Sequence, residues 1–175
     1  MNEVIKTPIN GLKVNLNKIV GDVRGHLYEI APGGTANDFV GGKIGDVYIA
    51  TASKKGVGRG GHYHHELIEN FYTLTGSALW LFKDFRKKSN TFNKTYAAIF
   101  GNKKTEGIEV DQYVLPDNMA QVLVPEGVYH VFYPLTDKEV TVLALTNLPH
   151  DNDDYVRIPP EEDKDLKELK KKLIK

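Results

Sequence analysis

Residues 56–76 read GVGRGGHYHHELIENFYTLTG, in which two histidines are separated by one residue and a glutamate follows five positions after the second. A second stretch, residues 125–130, reads PEGVYH. Because side chains alternate between the two faces of a β-strand, the H-x-H pair would place two imidazoles on one face. Three imidazoles and one carboxylate form a ligand set that suits iron, nickel, copper, zinc or manganese. The spacing therefore predicts a metal cage on a β-barrel, with the ligands His62, His64, Glu69 and His130.

Short runs of β-branched and aromatic residues recur between Gly, Pro, Asn and Asp along the chain, a pattern typical of an all-β fold. The runs are Leu27–Ile30, Val47–Thr51, Phe71–Leu74, Ala78–Phe82, Tyr96–Phe100, Tyr113–Leu115, Gln121–Val124 and Val140–Leu145. Thr75–Ser77 lies between two runs and predicts a tight hairpin turn around Gly76, which puts Glu69 at the start of a strand. A second turn at Pro125–Gly127 would return His130 towards the same end of the barrel.

The chain changes character after Pro159. Leu166, Leu169 and Leu173 recur at helical spacing, and the segment begins with acidic residues and ends in Lys170–Lys172. This distribution of charge complements the dipole of a helix. We therefore expect a barrel in residues 1–158 and a short C-terminal helical tail in residues 159–175.

Composition and charge narrow the classes of function. The 175 residues include 23 basic and 23 acidic side chains, so no global field favours a nucleic acid or a membrane as partner. The absence of cysteine excludes disulfides, thiolate ligands and a cysteine nucleophile. Residues 1–14 lack an apolar run long enough for a signal peptide or a spanning helix. A cytoplasmic globular protein is the expectation.

The two histidine motifs resemble the two signature motifs of the cupin superfamily, and all four ligand positions are filled here. The resemblance implies a double-stranded β-helix, or jelly-roll barrel. It also implies one divalent transition metal near the barrel mouth, which from the ligand types would be Zn, Fe, Ni or Mn. Glu66 is the rival to Glu69 as the carboxylate ligand, and the four-residue gap of the motif favours Glu69.

Four further stretches resemble the dTDP-4-dehydrorhamnose 3,5-epimerase family, and the similarity spans about residues 20–145. The stretches are DVRGHLYE at 22–29, GRGGHYH at 58–64, DFRKKSNTF at 84–92 and VPEGVYHVF at 124–132. The resemblance implies a homodimer that acts on a 4-keto-6-deoxy sugar carried on a nucleotide diphosphate, in the synthesis of surface polysaccharide. It also implies that Arg24 and Arg59 contact the diphosphate, for which a guanidinium is suited, and that His62 falls at the catalytic base.

The chain also departs from that family. Glu69 stands where the family has its catalytic lysine, and the apolar stretch Val142–Leu145 stands where it has its catalytic tyrosine. Classical members also work without metal. The first motif fits two related groups better, the nucleotide-sugar 3,4-ketoisomerases and the cupin halves of capsular-polysaccharide epimerase/reductases. Because the ketoisomerases lack the second-motif histidine, the cage favours chemistry of the capsular type.

The sequence thus predicts a metal-containing epimerase or isomerase of a nucleotide-linked 4-keto-6-deoxy sugar. A metal that polarises the ketone acidifies the adjacent C–H, so that a nearby base can move its proton. The predicted catalytic residues are His62, His64, Tyr72 and Tyr133, and the predicted substrate-binding residues are Arg24, Arg59 and Tyr63. The alternatives are a metal-dependent sugar-phosphate isomerase, a cupin dioxygenase, a non-catalytic sugar-binding cupin, and a metal-free polar network of the same histidines.

Overall fold

The computed structural model describes residues 3–17, 19–28, 30, 43–114 and 119–174. Together these residues form fourteen strands, one 3₁₀ turn at Pro160–Glu162 and one helix. The strands are β1 (Glu3–Lys6), β2 (Lys13–Asn17), β3 (Ile19–Asp22), β4 (Gly25–Tyr28), β5 (Asp46–Ala52), β6 (Arg59–His64), β7 (Glu69–Thr75), β8 (Ser77–Asp84), β9 (Thr95–Gly101), β10 (Asp111–Val114), β11 (Met119–Val124), β12 (Val128–Pro134), β13 (Val140–Thr146) and β14 (Tyr155–Arg157). The helix, α1, spans Lys164–Leu173.

Two six-stranded sheets form the body of the protein, in the orders β1-β2-β11-β7-β13-β5 and β10-β9-β8-β12-β6-β14. Within these sheets the pairings are antiparallel apart from the parallel pair β9–β10. The chain alternates between the sheets from β5 to β8 and again from β11 to β14, which is the connection pattern of a jelly roll. The predicted all-β jelly-roll fold with a short C-terminal helix is confirmed.

Aromatic side chains fill the space between the sheets. Trp80 lies 5.0 Å from both Phe71 and Phe132, measured between ring centroids, and it stacks on Phe82. These rings belong to the core cluster between the sheets and come from β7, β8 and β12. Each buried ring removes a large apolar area from water, so this cluster is a main source of the barrel's stability.

Helix α1 covers the outer face of the second sheet. Leu166 and Leu173 are buried against side chains of that sheet such as Leu79. Asp163 caps the helix by accepting the backbone N–H groups of Asp165 and Leu166. The predicted helix is therefore present, while the division of the chain at residue 158 stays a prediction.

The eight predicted runs all overlap strands, apart from their residues 29 and 115, which lie outside the described residues. The predicted hairpin at Gly76 is wrong in its pairing. Strands β7 and β8 flank Gly76 but belong to different sheets, so the chain turns a corner there instead of folding back on itself. Gly76 has φ of 72°, and a Cβ at this position would lie 2.8 Å from the carbonyl oxygen of Glu139. Glycine is therefore needed for the corner.

Candidate metal centre and its cavity

Three strands bring the two histidine motifs together. His62 and His64 lie on β6, and His130 lies directly opposite His62 in the β6–β12 pair. Glu69 is the first residue of β7 in the facing sheet. One ligand atom from each of these four residues lies within 4.8 Å of the others. Of the two candidate carboxylates, Glu69 is buried in this cluster and Glu66 is exposed outside it.

A β-bulge aims His62 at this point. The β6–β12 register shifts between His130 and Val131, so that one extra residue, Gly61, lies between His62 and Gly60. Gly60 has φ of 95°, and a Cβ there would lie 2.9 Å from the carbonyl oxygen of His130. A side chain at Gly60 would push the two histidine strands apart, since bulges of this kind require a permissive residue.

The contacts converge on one oxygen of Glu69. Its Oε2 atom lies 3.1 Å from Nε2 of His130 and 3.5 Å from Nε2 of His64. The His62 ring centroid lies 4.9 Å from that of His64 and 4.8 Å from that of His130. Ligands at about 2.1 Å from one ion are separated from each other by roughly 3–4 Å, so a small contraction of this cluster would suit a transition metal.

In two of the three histidines, Nδ1, the ring nitrogen that faces away from Glu69, has a hydrogen-bond acceptor. Nδ1 of His64 lies 3.2 Å from Oδ2 of Asp154, and Nδ1 of His130 lies 3.4 Å from the carbonyl oxygen of Val128. Both acceptors select the tautomer with the proton on Nδ1, which leaves the Nε2 lone pair facing Glu69. Histidines that bind metals usually donate their other N–H in this way. Nδ1 of His62, in contrast, is buried and has no hydrogen-bond partner of normal geometry among the described residues.

Burial favours the neutral form of every member of the cluster. Burial lowers the pKa of His62 to about 2 and that of His130 to about 4, and it is also the main reason why the pKa of His64 is lowered. Burial likewise raises the pKa of Glu69. Burial thus disfavours the charged form of the imidazoles and the charged form of Glu69 alike. Neutral imidazoles are the form that binds metal, and a divalent ion would stabilise the carboxylate.

A cavity of about 380 Å³ opens onto the cluster. Its wall combines the apolar rings of the core with polar groups, a composition and size typical of small-molecule sites. The lining residues are Asp46, Tyr48, Ala50, Arg59, Gly60, His62, His64, Glu69, Phe71, Trp80, His130, Phe132 and His150. The hydroxyl of Tyr48 donates a hydrogen bond of 2.8 Å to Oε1 of Glu69, the oxygen on the far side from the histidines.

The structure separates the two predicted phosphate-binding arginines. Arg59 is exposed and lines the cavity. Arg24 lies in the turn between β3 and β4, where its exposed side chain pairs with Asp22, and it is not part of the cavity wall. The predicted role of Arg24 thus has no support from this cavity.

The three predicted tyrosines are not among the described residues that line this cavity. Tyr72 packs with Met119 and donates its hydroxyl to the carbonyl of Ile30. Tyr133 belongs to the cluster under α1, and Tyr63 stacks on Phe85 at 5.4 Å. Each lies an odd number of positions from a cage residue on its own strand, so its side chain points to the opposite face.

Sequence reasoning missed four residues at the site. Asp46 and Tyr48 on β5 share the inner face, a signal visible in the alternation of that strand. His150 also lines the cavity. Asp154 contacts His64 from 90 positions away, and no local pattern indicates that pairing.

Comparison with known proteins identifies relatives. The family model described as dTDP-4-dehydrorhamnose 3,5-epimerase matches residues 6–167. No curated protein matches the chain.

Several solved structures of low sequence identity share the fold. A dTDP-4-dehydrorhamnose 3,5-epimerase from Bacillus anthracis strain Ames, solved with TDP and PPi bound, has a TM-score of 0.75 and 22% identity, and the match covers 95% of this chain and 88% of that one. A dTDP-6-deoxy-D-glucose-3,5-epimerase from Legionella pneumophila, in complex with dTDP-4-keto-L-rhamnose, has a TM-score of 0.73 and 24% identity, with coverage of 90% and 78%. A 4-keto-6-deoxy sugar epimerase from the novobiocin gene cluster of Streptomyces spheroides has a TM-score of 0.73 and 18% identity, with coverage of 91% and 75%.

A search of the described residues for membrane spans finds no helix that is long and apolar enough to cross a bilayer.

Proposed function

The chain belongs to the dTDP-4-dehydrorhamnose 3,5-epimerase family of carbohydrate isomerases, and we propose that it shifts protons beside the ketone of a dTDP-linked 4-keto-6-deoxy sugar with the help of a bound metal ion. The proposed ligands are His62, His64, Glu69 and His130. On the family resemblance alone, we extend the proposal to a homodimer in the cytoplasm whose product enters surface polysaccharide.

One observation carries the metal part of this proposal. Three neutral imidazoles and one buried carboxylate, drawn from strands of both sheets, converge at the wall of a cavity of about 380 Å³. Two of the imidazoles are oriented by acceptors behind them. A metal-free network would need only hydrogen-bond partners, whereas here one possible ligand atom from each of four residues lies within 4.8 Å of the others.

The substitution at the family's lysine position supports a change of chemistry. Glu69 replaces a cation by a carboxylate, so the positive charge that would stabilise an enolate has to come from another source. A divalent ion held by the four ligands would supply it by polarising the ketone. Removal of a proton from the neighbouring carbon would then cost less free energy. Residues around the cavity would accept that proton and return it to the sugar.

The cavity offers its own groups for substrate binding and proton transfer. Arg59, which lines the cavity, would contact the diphosphate through its guanidinium. Tyr48 supplies the one hydroxyl among the described residues that line the cavity, and it takes the place of the predicted Tyr72 and Tyr133 as the proton partner. The rings of Trp80 and Phe132 form an apolar wall that suits the 6-deoxy carbon of the sugar.

The test is proton exchange in heavy water. The protein is stripped with a chelator, loaded separately with Fe²⁺, Ni²⁺, Zn²⁺ or Mn²⁺, and incubated with dTDP-4-keto-6-deoxyglucose. We expect deuterium at C3, C5 or both, read by mass spectrometry and NMR, with at least one metal. Exchange should disappear in the stripped protein and in Glu69→Gln, and it should persist in the matched control Glu66→Gln, whose side chain is exposed.

The outcomes separate the parts of the proposal. No deuterium with any metal would overturn the proposed activity. Equal exchange by stripped and loaded protein would overturn the metal and leave a metal-free epimerase. Fructose 6-phosphate and dioxygen consumption, assayed in parallel, report on the sugar-phosphate isomerase and the dioxygenase.

A further inference from the structure

Asp154 lies outside the cavity wall but touches the segment that joins two of the proposed ligands. It precedes β14, whose first residue, Tyr155, pairs with His64. The Asp154 side chain is 13% exposed, so its carboxylate is largely withdrawn from water. No sequence motif of the cage includes this residue.

Four hydrogen bonds tie Asp154 to consecutive residues of that segment. Its Oδ2 atom accepts from the ring Nδ1 of His64 at 3.2 Å and from the backbone N–H of Leu67 at 3.1 Å. Its Oδ1 atom accepts from the backbone N–H of Glu66 at 2.9 Å. Its backbone carbonyl accepts from the N–H of His65 at 2.9 Å. One residue thus organises residues 64–67.

We propose that Asp154 is a positioning residue of the cage, which orients His64 through its ring and Glu69 through the segment that leads to it. The inference rests on the proposed metal site. The carboxylate holds the His64 proton on Nδ1 and directs the Nε2 lone pair towards Oε2 of Glu69, which lies 3.5 Å away. The same bonds set the path from the end of β6 to the start of β7, and therefore the distance between the two ligands.

The negative charge of Asp154 gives it an effect that a residue which only stabilises the loop would not have. A carboxylate behind an imidazole makes the ring a stronger donor to a metal than a neutral acceptor does, and loss of such a partner typically lowers metal affinity by about 10–100-fold. Among the described residues, the acceptor of Nδ1 of His130 is the neutral backbone carbonyl of Val128. The two histidines should therefore differ in donor strength, with His64 the stronger ligand.

The experiment uses Co²⁺ as a spectroscopic probe of the full-length protein. Wild type, Asp154→Asn and the matched control Asp153→Asn are stripped and titrated with Co²⁺, and the visible absorption bands report both affinity and ligand field. Asp153 is exposed, and among the described residues it is Asp154, not Asp153, whose side chain contacts His64. The two variants therefore remove the same charge from neighbouring positions, only one of which lies behind the ligand. We expect Asp154→Asn to bind Co²⁺ about 10–100-fold more weakly with a shifted visible band, and Asp153→Asn to match wild type.

Each outcome has a distinct meaning. If wild type does not bind Co²⁺, the metal site of the proposed function is overturned. If wild type binds and Asp154→Asn shows the same affinity and spectrum, the positioning role alone is overturned. Circular dichroism checks folding; should Asp154→Asn fail to fold, Asp154→Ser, which removes the charge but keeps a small hydrogen-bond acceptor, is titrated instead. A wild-type spectrum and affinity in that variant would equally overturn the role.

Discussion

At the scale of single residues, Glu69 defines how this chain differs from its family. The resemblance places a catalytic lysine at this position, and a carboxylate there reverses the local charge. Burial raises the pKa of Glu69, and its nearest partners are imidazoles whose own pKa values are lowered. Among the described residues no lysine or arginine lies within ion-pair distance of it. A cation is the natural complement of such a group.

Tyr48→Phe tests the proton partner. The pKa of Tyr48 is raised by burial and by the neighbouring Glu69 carboxylate, so the hydroxyl stays protonated and acts as a donor. Removal of this hydroxyl should lower the rate of deuterium exchange by about 100-fold or more, since general acid–base groups contribute about that much. Metal content, measured by elemental analysis, should be retained because Oε2 of Glu69 and the histidines are unchanged.

The matched control is Tyr72→Phe, because the Tyr72 side chain packs in a separate cluster with Met119 and Leu145. Exchange at the wild-type rate in Tyr48→Phe would exclude Tyr48 as the partner.

Sequence reasoning predicted which four residues lie together and missed the residues around them, for a physical reason. The H-x-H spacing and the turn before His130 are local, and strand alternation converts them into a shared face. Tyr72 lies three positions after Glu69, and Tyr133 lies three positions after His130. The same alternation therefore places both tyrosines on the face of their strand that points away from the cluster. Tyr48 could have been found by applying that count to β5. Asp154 could not, because its partner depends on how β14 docks beside β6.

At the scale of elements, the fold was predictable where strands are apolar and missed where they are polar or short. β11 is buried along its whole length and β8 is buried apart from its first residue, and each contains one of the predicted runs. β14 has three residues and β1 is mostly exposed, so neither has a pattern of its own. The corner at Gly76 was read as a hairpin because a glycine between two strands does not reveal which sheet each strand joins. Only tertiary pairing decides that.

Asp84→Asn tests the loop that follows β8. Asp84 is fully buried and accepts hydrogen bonds from Arg86 at 2.8 Å, Ser89 at 2.7 Å and Thr91 at 2.6 Å. Burial alone would raise the pKa of Asp84, but these donors hold it well below its usual range. Because the folded-state pKa is depressed, the stabilisation is present above the unfolded pKa near 4 and is lost as pH falls towards the folded value. At pH 7 the variant should lose about 3 kcal/mol in urea unfolding.

The pH dependence of that difference is the discriminating measurement. The gap in unfolding free energy between wild type and Asp84→Asn should narrow from pH 7 to pH 3, because only the wild type has this carboxylate to protonate. Asp153→Asn, at an exposed site, serves as the control and should stay within about 0.5 kcal/mol of wild type. A gap that is constant with pH would show that the network stabilises the loop by shape and not by charge.

At the scale of the whole molecule, the cage and the aromatic core are continuous. Phe71 lies 5.2 Å from His130 and 5.0 Å from Trp80, measured between ring centroids, so the ligands stand on the packed core of the barrel. Ligands from both sheets also mean that an ion would link the sheets together. Binding at this site should therefore stabilise the entire fold, since the unfolded chain cannot bring residues 62 and 130 together.

Thermal unfolding tests this coupling. An ion at about 100 times its dissociation constant adds about 2.7 kcal/mol to the stability, which for a chain of this length corresponds to a rise in Tm of roughly 5–10 °C. Trp80 is the only tryptophan, is fully buried and lines the cavity, so its fluorescence follows both binding and melting. The rise should be reversed by a chelator, absent in Glu69→Gln and preserved in Glu66→Gln. An equal rise in Glu69→Gln would place the ion elsewhere on the protein, and no rise in wild type with Fe²⁺, Ni²⁺, Zn²⁺ or Mn²⁺ would contradict a metal centre between the two sheets.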